Sequence, residues 1–334
     1  MSRYILVTGA TGLVGAHVVD NLLSKGFRVR AVARSKAKAE RMLSSRPQFA
    51  HLLDFYYIDD LTSKGVFDEA VRDIDGVIHI ASPLNYGAKD KEKELIIPAI
   101  QGVRSVLEAS AKSGVKRIVM TSSFGAVLDM DRDMSETYTF SSQDWNPITY
   151  QMAADPGATP QDAYRGSKVF AEQEAWRFVK ERKPSFDLVT LCPSMVFGPV
   201  AGPLDSPKDL NESNALLWRV ASGGPSQELP PARFNFWIDA RDLAEIHVQA
   251  LLTPKAGGKR YIPVAPEKFT YQLASEIMIE EFPSWAEGQV SRGTQEVRKH
   301  INVDMGAVQR DFPSVKYTAF RETVADLIKQ VVSP

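Results

Sequence analysis

The 334-residue sequence is poor in several things at once. It has one cysteine, Cys192, which excludes an internal disulfide and any multi-cysteine metal site and suits a reducing compartment. It has almost no net charge, with 40 Lys+Arg against 41 Asp+Glu, so no global field draws it to nucleic acid or to an anionic membrane surface. Recognition of an anion has to be local. No apolar run approaches the roughly 18 residues of a membrane span, and the first strand pattern begins almost at Met1, so neither a signal peptide nor an anchor is expected. His17, His51, His79, His247 and His300 show no metal-ligand spacing, so no metal is expected. A cytoplasmic protein without a membrane or nucleic-acid partner is the expectation.

What is present is an alternation of short apolar runs with longer helical patterns, the signature of a parallel sheet wrapped by helices. Strands are expected near 3–8, 28–33, 53–57, 75–80, 116–121 and 186–191, with helices over 13–25 and 99–113, each closed by a glycine. After about residue 195 the rhythm changes, and helical segments near 208–222, 239–252, 270–281 and 316–331 sit between irregular stretches. The reading is a Rossmann-type α/β fold with a doubly wound parallel sheet. Residues 1–195 form the dinucleotide-binding domain and 235–265 return to it; 196–234 and 266–334 form a smaller, mostly helical substrate-binding cap. The least regular segment is 129–163, and a loop that long is commonly functional or mobile. Its Trp145 marks it as a substrate lid or as a surface loop pinned by one aromatic.

In "TGATGLVG", Gly9, Gly12 and Gly15 follow a strand and open a helix. Glycine there permits a tight turn and lets backbone N–H groups approach a pyrophosphate at the positive end of the helix. NAD-binding units of this kind end their second strand on an acidic residue that holds the ribose 2′-hydroxyl. This chain has "VRAVARSKAK" instead: Ala33, then Arg34 and, four residues on, Lys38. Cations without a carboxylate at that point suit a 2′-phosphate, so NADPH/NADP is the expected cofactor. Lys36 and Arg41 fit a solvated helix face. Asp60, at a strand end in "YYIDDL", can accept a hydrogen bond from an adenine amino group, and Ala81 and Ser82 are small enough for a cofactor to lie across the sheet edge.

The chemistry is expected in "IVMTSSF" and "AYRGSKVFAE". Tyr164 and Lys168 lie four apart in a helical pattern and share one face. A phenol is a poor acid or base at neutral pH, and a nearby ammonium is expected to bring it toward the working range. Ser123, at the end of the fifth strand, can hydrogen-bond a substrate oxygen. Cys192 and His79, inside apolar strands, read as core residues. Asp239 and Asp242 read as helix-capping carboxylates.

"TGATGLVG", "DDL", "TSSF", "YRGSK", "PSMVFGP" and "FWIDARDLA" together resemble the extended short-chain dehydrogenase/reductases, in order and across nearly the whole chain. "ARSKAKAE", "HIASP", "WNPITY" and "YRGSKVFAEQEAW" resemble the branch of fungal NADPH-dependent methylglyoxal and aldehyde/ketone reductases and of plant dihydroflavonol and cinnamoyl-CoA reductases. The resemblance implies Ser123, Tyr164 and Lys168 as a catalytic triad. It implies that Gly9, Thr11, Gly12, Leu13, Val14 and Gly15, with Arg34, Lys38, Asp60 and Leu61, hold NADPH, and that Pro193 to Val196 line the nicotinamide. It also implies that Leu84, Phe124 and Phe197 face the substrate.

The function expected is hydride transfer from NADPH to a small-molecule carbonyl, by a monomer or homodimer. Two alternatives share the fold: a sugar-nucleotide epimerase or dehydratase with tightly held NAD, and a non-catalytic dinucleotide-sensing regulator. Ala33 followed by Arg34 argues against the first, and the intact Ser-Tyr-Lys set against the second. The stretch "VFGPVAGPLDSPKDLNESNALLW" has one Lys against three acids and offers Val196, Phe197, Leu204, Leu216 and Leu217 as walls for an uncharged substrate. Arg219, Arg233 and the basic cluster at 255–260 are the cap cations that could fold inward.

Overall fold

Continuous apolar runs such as "YILVT" and "GVIH" are what a sheet covered on both faces requires, and in the computed structural model every residue of those two strands is buried. The structure describes residues 3–332 apart from 84, 131, 133–136 and 233. Its strands are β1 (Tyr4–Thr8), β2 (Arg28–Ala33), β3 (Leu53–Tyr57), β4 (Gly76–His79), β5 (Arg117–Thr121), β6 (Tyr138–Phe140), β7 (Asp187–Leu191), β8 (Met195–Phe197), β9 (Trp237–Asp239), β10 (Arg260–Tyr261) and β11 (Ile301–Val303). Seven of them form one parallel sheet in the order β10-β7-β5-β4-β1-β2-β3. The order reverses between β1 and β4. A crevice opens at such a switch point, beyond the carboxyl ends of the strands, and it is where an open α/β sheet binds its ligand.

Alternation along β1 sends Ile5 and Val7 to one face and Tyr4 and Leu6 to the other. The first face is covered by the helices Leu13–Ser24 and Ala240–Leu252, through Val18, Leu22, Leu243 and Ile246. Helices Ile97–Ala111 and Pro160–Arg182 cover the second, through Val103, Val106, Ala171 and Ala175. A separate core gathers around Phe197, Trp237, Phe269 and Phe320, where helices Glu212–Ser222, Tyr271–Glu281 and Phe320–Val332 meet. β8 pairs with β9 in a separate two-stranded sheet, so the chain leaves the main sheet after β7 and rejoins it at β10.

The fold is the one expected, with element ends that differ for local reasons. The helix expected from 208 starts at Glu212, because Pro207–Asp209 is a separate 3₁₀ turn and Leu210 and Asn211 are extended. The helix expected over 99–113 runs from Ile97 to Ala111, after a wider π turn at Glu92–Ile96. Within 129–163 the described residues include β6, which pairs with β11, and a short helix at Tyr150–Ala154. Trp145 lies beneath the Arg260 guanidinium, 4.0 Å from its carbon, so this part of the segment is pinned. Among the described residues no helix is long and apolar enough to cross a membrane, and no cluster of three His, Cys, Asp or Glu side chains could hold a metal.

Candidate active site

The glycine loop sits at the switch point because its backbone has to fold where a side chain cannot. Gly9 has φ +68°, and a Cβ there would stand 2.9 Å from the Ala81 amide nitrogen. A Cβ on Gly15 would collide with the Gly9 carbonyl oxygen. The helix beginning at Leu13 therefore packs tightly under the loop. Gly12 takes its N-cap position without a side-chain cap, and no acidic residue occupies its first turn. Free N–H groups at a positive helix end, facing a crevice, form an anion site.

Beyond β2 the basic residues separate by their partners. Lys36 pairs with Glu40 at 3.9 Å, and Arg41 pairs with Asp205. Arg34 and the Lys38 ammonium have no hydrogen-bond or ion-pair partner among the described residues, and both line the crevice. These are the two cations expected to meet a phosphate. Asp60 lies on the rim beside Leu61, accepting from the Thr62 amide at 2.9 Å and the Thr62 hydroxyl at 2.7 Å, with Ser63 at 3.2 Å. These hydrogen bonds hold its carboxyl below the usual range.

Ser123 ends the loop after β5, where its hydroxyl oxygen accepts from the Gly125 amide at 3.0 Å and caps a 3₁₀ turn. Tyr164 and Lys168 project from the Pro160–Arg182 helix, whose start is set by Pro160 and by Thr159 accepting from the Asp162 amide. The Tyr164 hydroxyl donates to Ser123 Oγ at 3.3 Å. The Lys168 ammonium lies 5.6 Å from the centre of the Tyr164 ring. Burial pushes the Tyr164 phenol up, with the Ser123 hydrogen bond opposing, and pushes Lys168 down to about 8. The ammonium does not bring the phenol down as expected, because desolvation by burial governs it and the Ser123 hydrogen bond is what opposes. A phenol above its ordinary range stays protonated at neutral pH and is available as an acid.

His79 is a core residue, as its apolar strand indicates. The Thr8 hydroxyl oxygen already accepts from the Ile80 and Ala81 amides, each at 3.1 Å, so its proton goes to His79 Nδ1 at 2.8 Å. Burial, with the Lys168 charge adding, holds His79 down to about 4. Cys192 is also buried, and its thiol is pushed up by the same cause.

One cleft of about 1190 Å³ joins these groups. Gly9, Thr11, Gly12, Leu13, Val14, Gly15, Arg34, Lys38, Asp60, Leu61, Ala81, Ser82, Ser123, Phe124, Tyr164, Lys168, Pro193 and Val196 all line it. Phe197 does not, which corrects the expectation that it faces the substrate. It is fully buried, with Trp237, Phe269 and Phe320 rings within 6.4 Å, because adjacent strand residues point to opposite faces and Val196 takes the cleft side. Leu84 lies outside the described residues. Leu216 lines the cleft, Leu217 is in the core, and Leu204 lines a smaller cavity beside Arg41. The cap cations are used elsewhere or turned away. Lys255 and Lys259 pair with Asp311, Arg260 pairs with Glu172, and Arg219 is exposed and not on the cleft. Arg233 lies outside the described residues.

The sequence reading missed Tyr86, whose ring centre is 5.7 Å from that of Tyr164, as well as Glu212, Phe234 and Tyr271 on the cap side. These come from loops and helix starts distant in sequence, and no spacing links them to the motifs. An aromatic four residues after the small "AS" pair was the only local sign of Tyr86.

The model of the NAD dependent epimerase/dehydratase family matches residues 5–264. The NADPH-dependent methylglyoxal reductase GRE2 of Saccharomyces cerevisiae is 33% identical, covering 98% of each chain. Ketoreductase azaE of Aspergillus niger is 34% identical over 83% of this chain and 82% of its own. The crystal structure of Gre2 from Candida albicans in complex with NADPH matches with a TM-score of 0.91 at 29% identity, covering 99% of this chain and 98% of that one. With the family model matched over residues 5–264 and relatives above 30% identity along nearly the whole length, this chain belongs to the NAD dependent epimerase/dehydratase family, among the extended short-chain dehydrogenase/reductases.

Proposed function

We propose that this protein is an NADPH-dependent carbonyl reductase that converts uncharged aldehydes, ketones or 1,2-dicarbonyls to alcohols at Ser123, Tyr164 and Lys168. The observation that carries this reading is the Tyr164 hydroxyl directed at Ser123 Oγ in the same cleft that holds Arg34 and Lys38, whose side chains have no partner among the described residues. The glycine loop, its helix end and those two cations fit a dinucleotide with a 2′-phosphate. Pro193 and Val196 would flank its nicotinamide. When bound, the reduced nicotinamide supplies a hydride to the carbonyl carbon.

The chain's own residues handle the oxygen. Ser123 and Tyr164 bind it together, and Tyr164 gives it a proton as negative charge develops. Lys168, one turn away, stabilises the phenolate that remains and binds the nicotinamide ribose. Phe124, Leu128, Val196, Leu216 and Phe234 make the substrate wall largely apolar. A sugar nucleotide would bring a second pyrophosphate to that wall. The described arginines on the cleft are Arg34, at the nucleotide end, and Arg165, which is paired with Asp162 at 2.8 Å. The reading divides the chain into a nucleotide domain of 1–195 with 235–265 returning, and a cap of 196–234 and 266–334. It describes a cytoplasmic enzyme that acts as a monomer or homodimer. A screen of aldehydes, ketones and diketones with NADPH, followed by loss of the reduced cofactor's absorbance, tests it. Micromolar binding of a UDP- or GDP-sugar with no carbonyl reduced anywhere in the screen would overturn it.

A further inference from the structure

We propose that the buried pair Glu172 and Arg260 consists of positioning residues that set Ser123 against Tyr164, an inference that rests on the reaction proposed above. Glu172 lies on the Tyr164 helix, two turns past it, and is fully buried. Each of its carboxylate oxygens is filled by groups from other segments. Oε2 accepts from the Ser122 hydroxyl at 2.7 Å and from Arg260 Nη2 at 3.2 Å. Oε1 accepts from the Thr190 hydroxyl at 2.7 Å and from Arg260 Nε at 2.8 Å, with Trp176 Nε1 at 3.3 Å. The Cys192 thiol lies 3.5 Å from Oε2. One carboxylate on the Tyr164 helix thus touches the residue before Ser123 and the residue before Pro193.

Arg260 continues the frame on the other side of the serine turn. Besides Glu172, it donates from Nη1 to the carbonyl oxygens of Ser142 and Asp144 and from Nη2 to that of Ala126. Together with its two bonds to Glu172, all five guanidinium N–H groups are used. Its flat face covers Trp145. Asn146, next in sequence, donates from its backbone to Ala126 and from its side chain to the Gly125 carbonyl at 2.9 Å. The Ser123–Ala126 turn is thereby held from Ser122 at one end and from Gly125 and Ala126 at the other.

Stability alone does not call for charges here. An apolar pair of similar volume fills such a space at less desolvation cost, and exchanging a buried ion pair for one is often neutral or favourable. An apolar pair cannot hold the Ser122 hydroxyl or the Ala126 carbonyl. What the ion pair adds is a fixed distance between a strand end and a helix that carry the two reacting hydroxyls. Displacement of a reacting group by about 1 Å can cost on the order of a hundredfold in rate.

The test uses two variants of the full chain, S122A and E172L/R260M, measured against the unaltered enzyme on a carbonyl that it reduces. The readouts are kcat, the NADPH dissociation constant, the Tm, and the isotope effect on kcat with reduced cofactor deuterated at the transferred hydrogen. S122A removes one hydroxyl and leaves the ion pair intact. It should lower kcat at least threefold, raise the isotope effect and leave the NADPH dissociation constant within twofold. E172L/R260M should remain folded and lower kcat at least tenfold with the same split. A folded variant of either kind that keeps kcat within twofold overturns the proposal, and so does a loss of NADPH affinity in step with kcat. If the double variant fails to fold, S122A decides alone. Failure of the proposed function is a separate result, since the unaltered enzyme would then reduce no carbonyl.

Discussion

Replacing Arg34 by alanine should remove most of the discrimination between NADPH and NADH. Neither Arg34 nor Lys38 has a competing partner among the described residues, while their neighbours Lys36 and Arg41 are taken by Glu40 and Asp205. A charge-assisted contact to a phosphate is worth about 1.5–3 kcal/mol net. Arg34 and Lys38 are exposed at the sheet edge, so solvent screening favours the lower end of that range. About 1.5 kcal/mol for Arg34 corresponds to roughly tenfold. The unaltered enzyme should therefore prefer NADPH in kcat/KM by at least about tenfold, with Arg34 and Lys38 together capable of more. R34A should bring that ratio close to that of Lys38 alone, chiefly by weakening NADPH. The preference should also shrink with added salt, since the Debye length falls from about 10 Å at 0.1 M to about 3 Å at 1 M. The assay is kcat/KM for both cofactors with one carbonyl substrate at two ionic strengths. Equal values for NADPH and NADH in the unaltered enzyme, or an unchanged ratio in R34A, would refute the assignment of these cations to a 2′-phosphate.

Y164F keeps the ring and deletes the acid, so turnover should drop by roughly 10²–10⁴ while NADPH titration by fluorescence stays normal; near-full turnover with chemistry rate-limiting would move the role elsewhere. K168A should weaken NADPH binding and lower turnover together, and a variant impaired in only one of the two would separate the functions assigned to Lys168. Acid should destabilise the fold through His247, which contacts the Leu243 carbonyl and the Thr121 hydroxyl and is lowered by burial to about 4, with the Leu243 hydrogen bond opposing. Below its ordinary value of 6.5 the unfolded chain binds a proton that the folded one refuses, so stability falls as pH falls from 6.5 toward 4. Between pH 7 and 5 the unaltered protein should lose about 2 kcal/mol more than H247Q in urea unfolding, and parallel losses would contradict the reasoning. UDP- and GDP-sugars should leave the Tm of the NADPH-loaded enzyme unchanged, whereas a rise of several degrees would favour the epimerase reading.

The sequence by itself determined the parts that depend on local pattern. A strand, a glycine turn and a helix appear in the order that builds a nucleotide site, and their chemistry lies within the span of "TGATGLVG". Tyr164 and Lys168 were legible because a spacing of four puts them on one helix face, and Arg34 and Lys38 because they replace an expected carboxylate. Tertiary structure alone decided how side chains of similar character were sorted. Val196 and Phe197 are both apolar and adjacent, and only the orientation of β8 sends one to the cleft and the other to the core. Four basic residues between 34 and 41 look alike in sequence, and only the approach of Asp205 and the pairing with Glu40 leave Arg34 and Lys38 free to meet a ligand. Glu172 reads as one more charge on a helix, and Arg260 as part of a basic cluster. They meet because β10 joins the sheet beside β7, and a buried charge is tolerated there only where its partners arrive from distant segments.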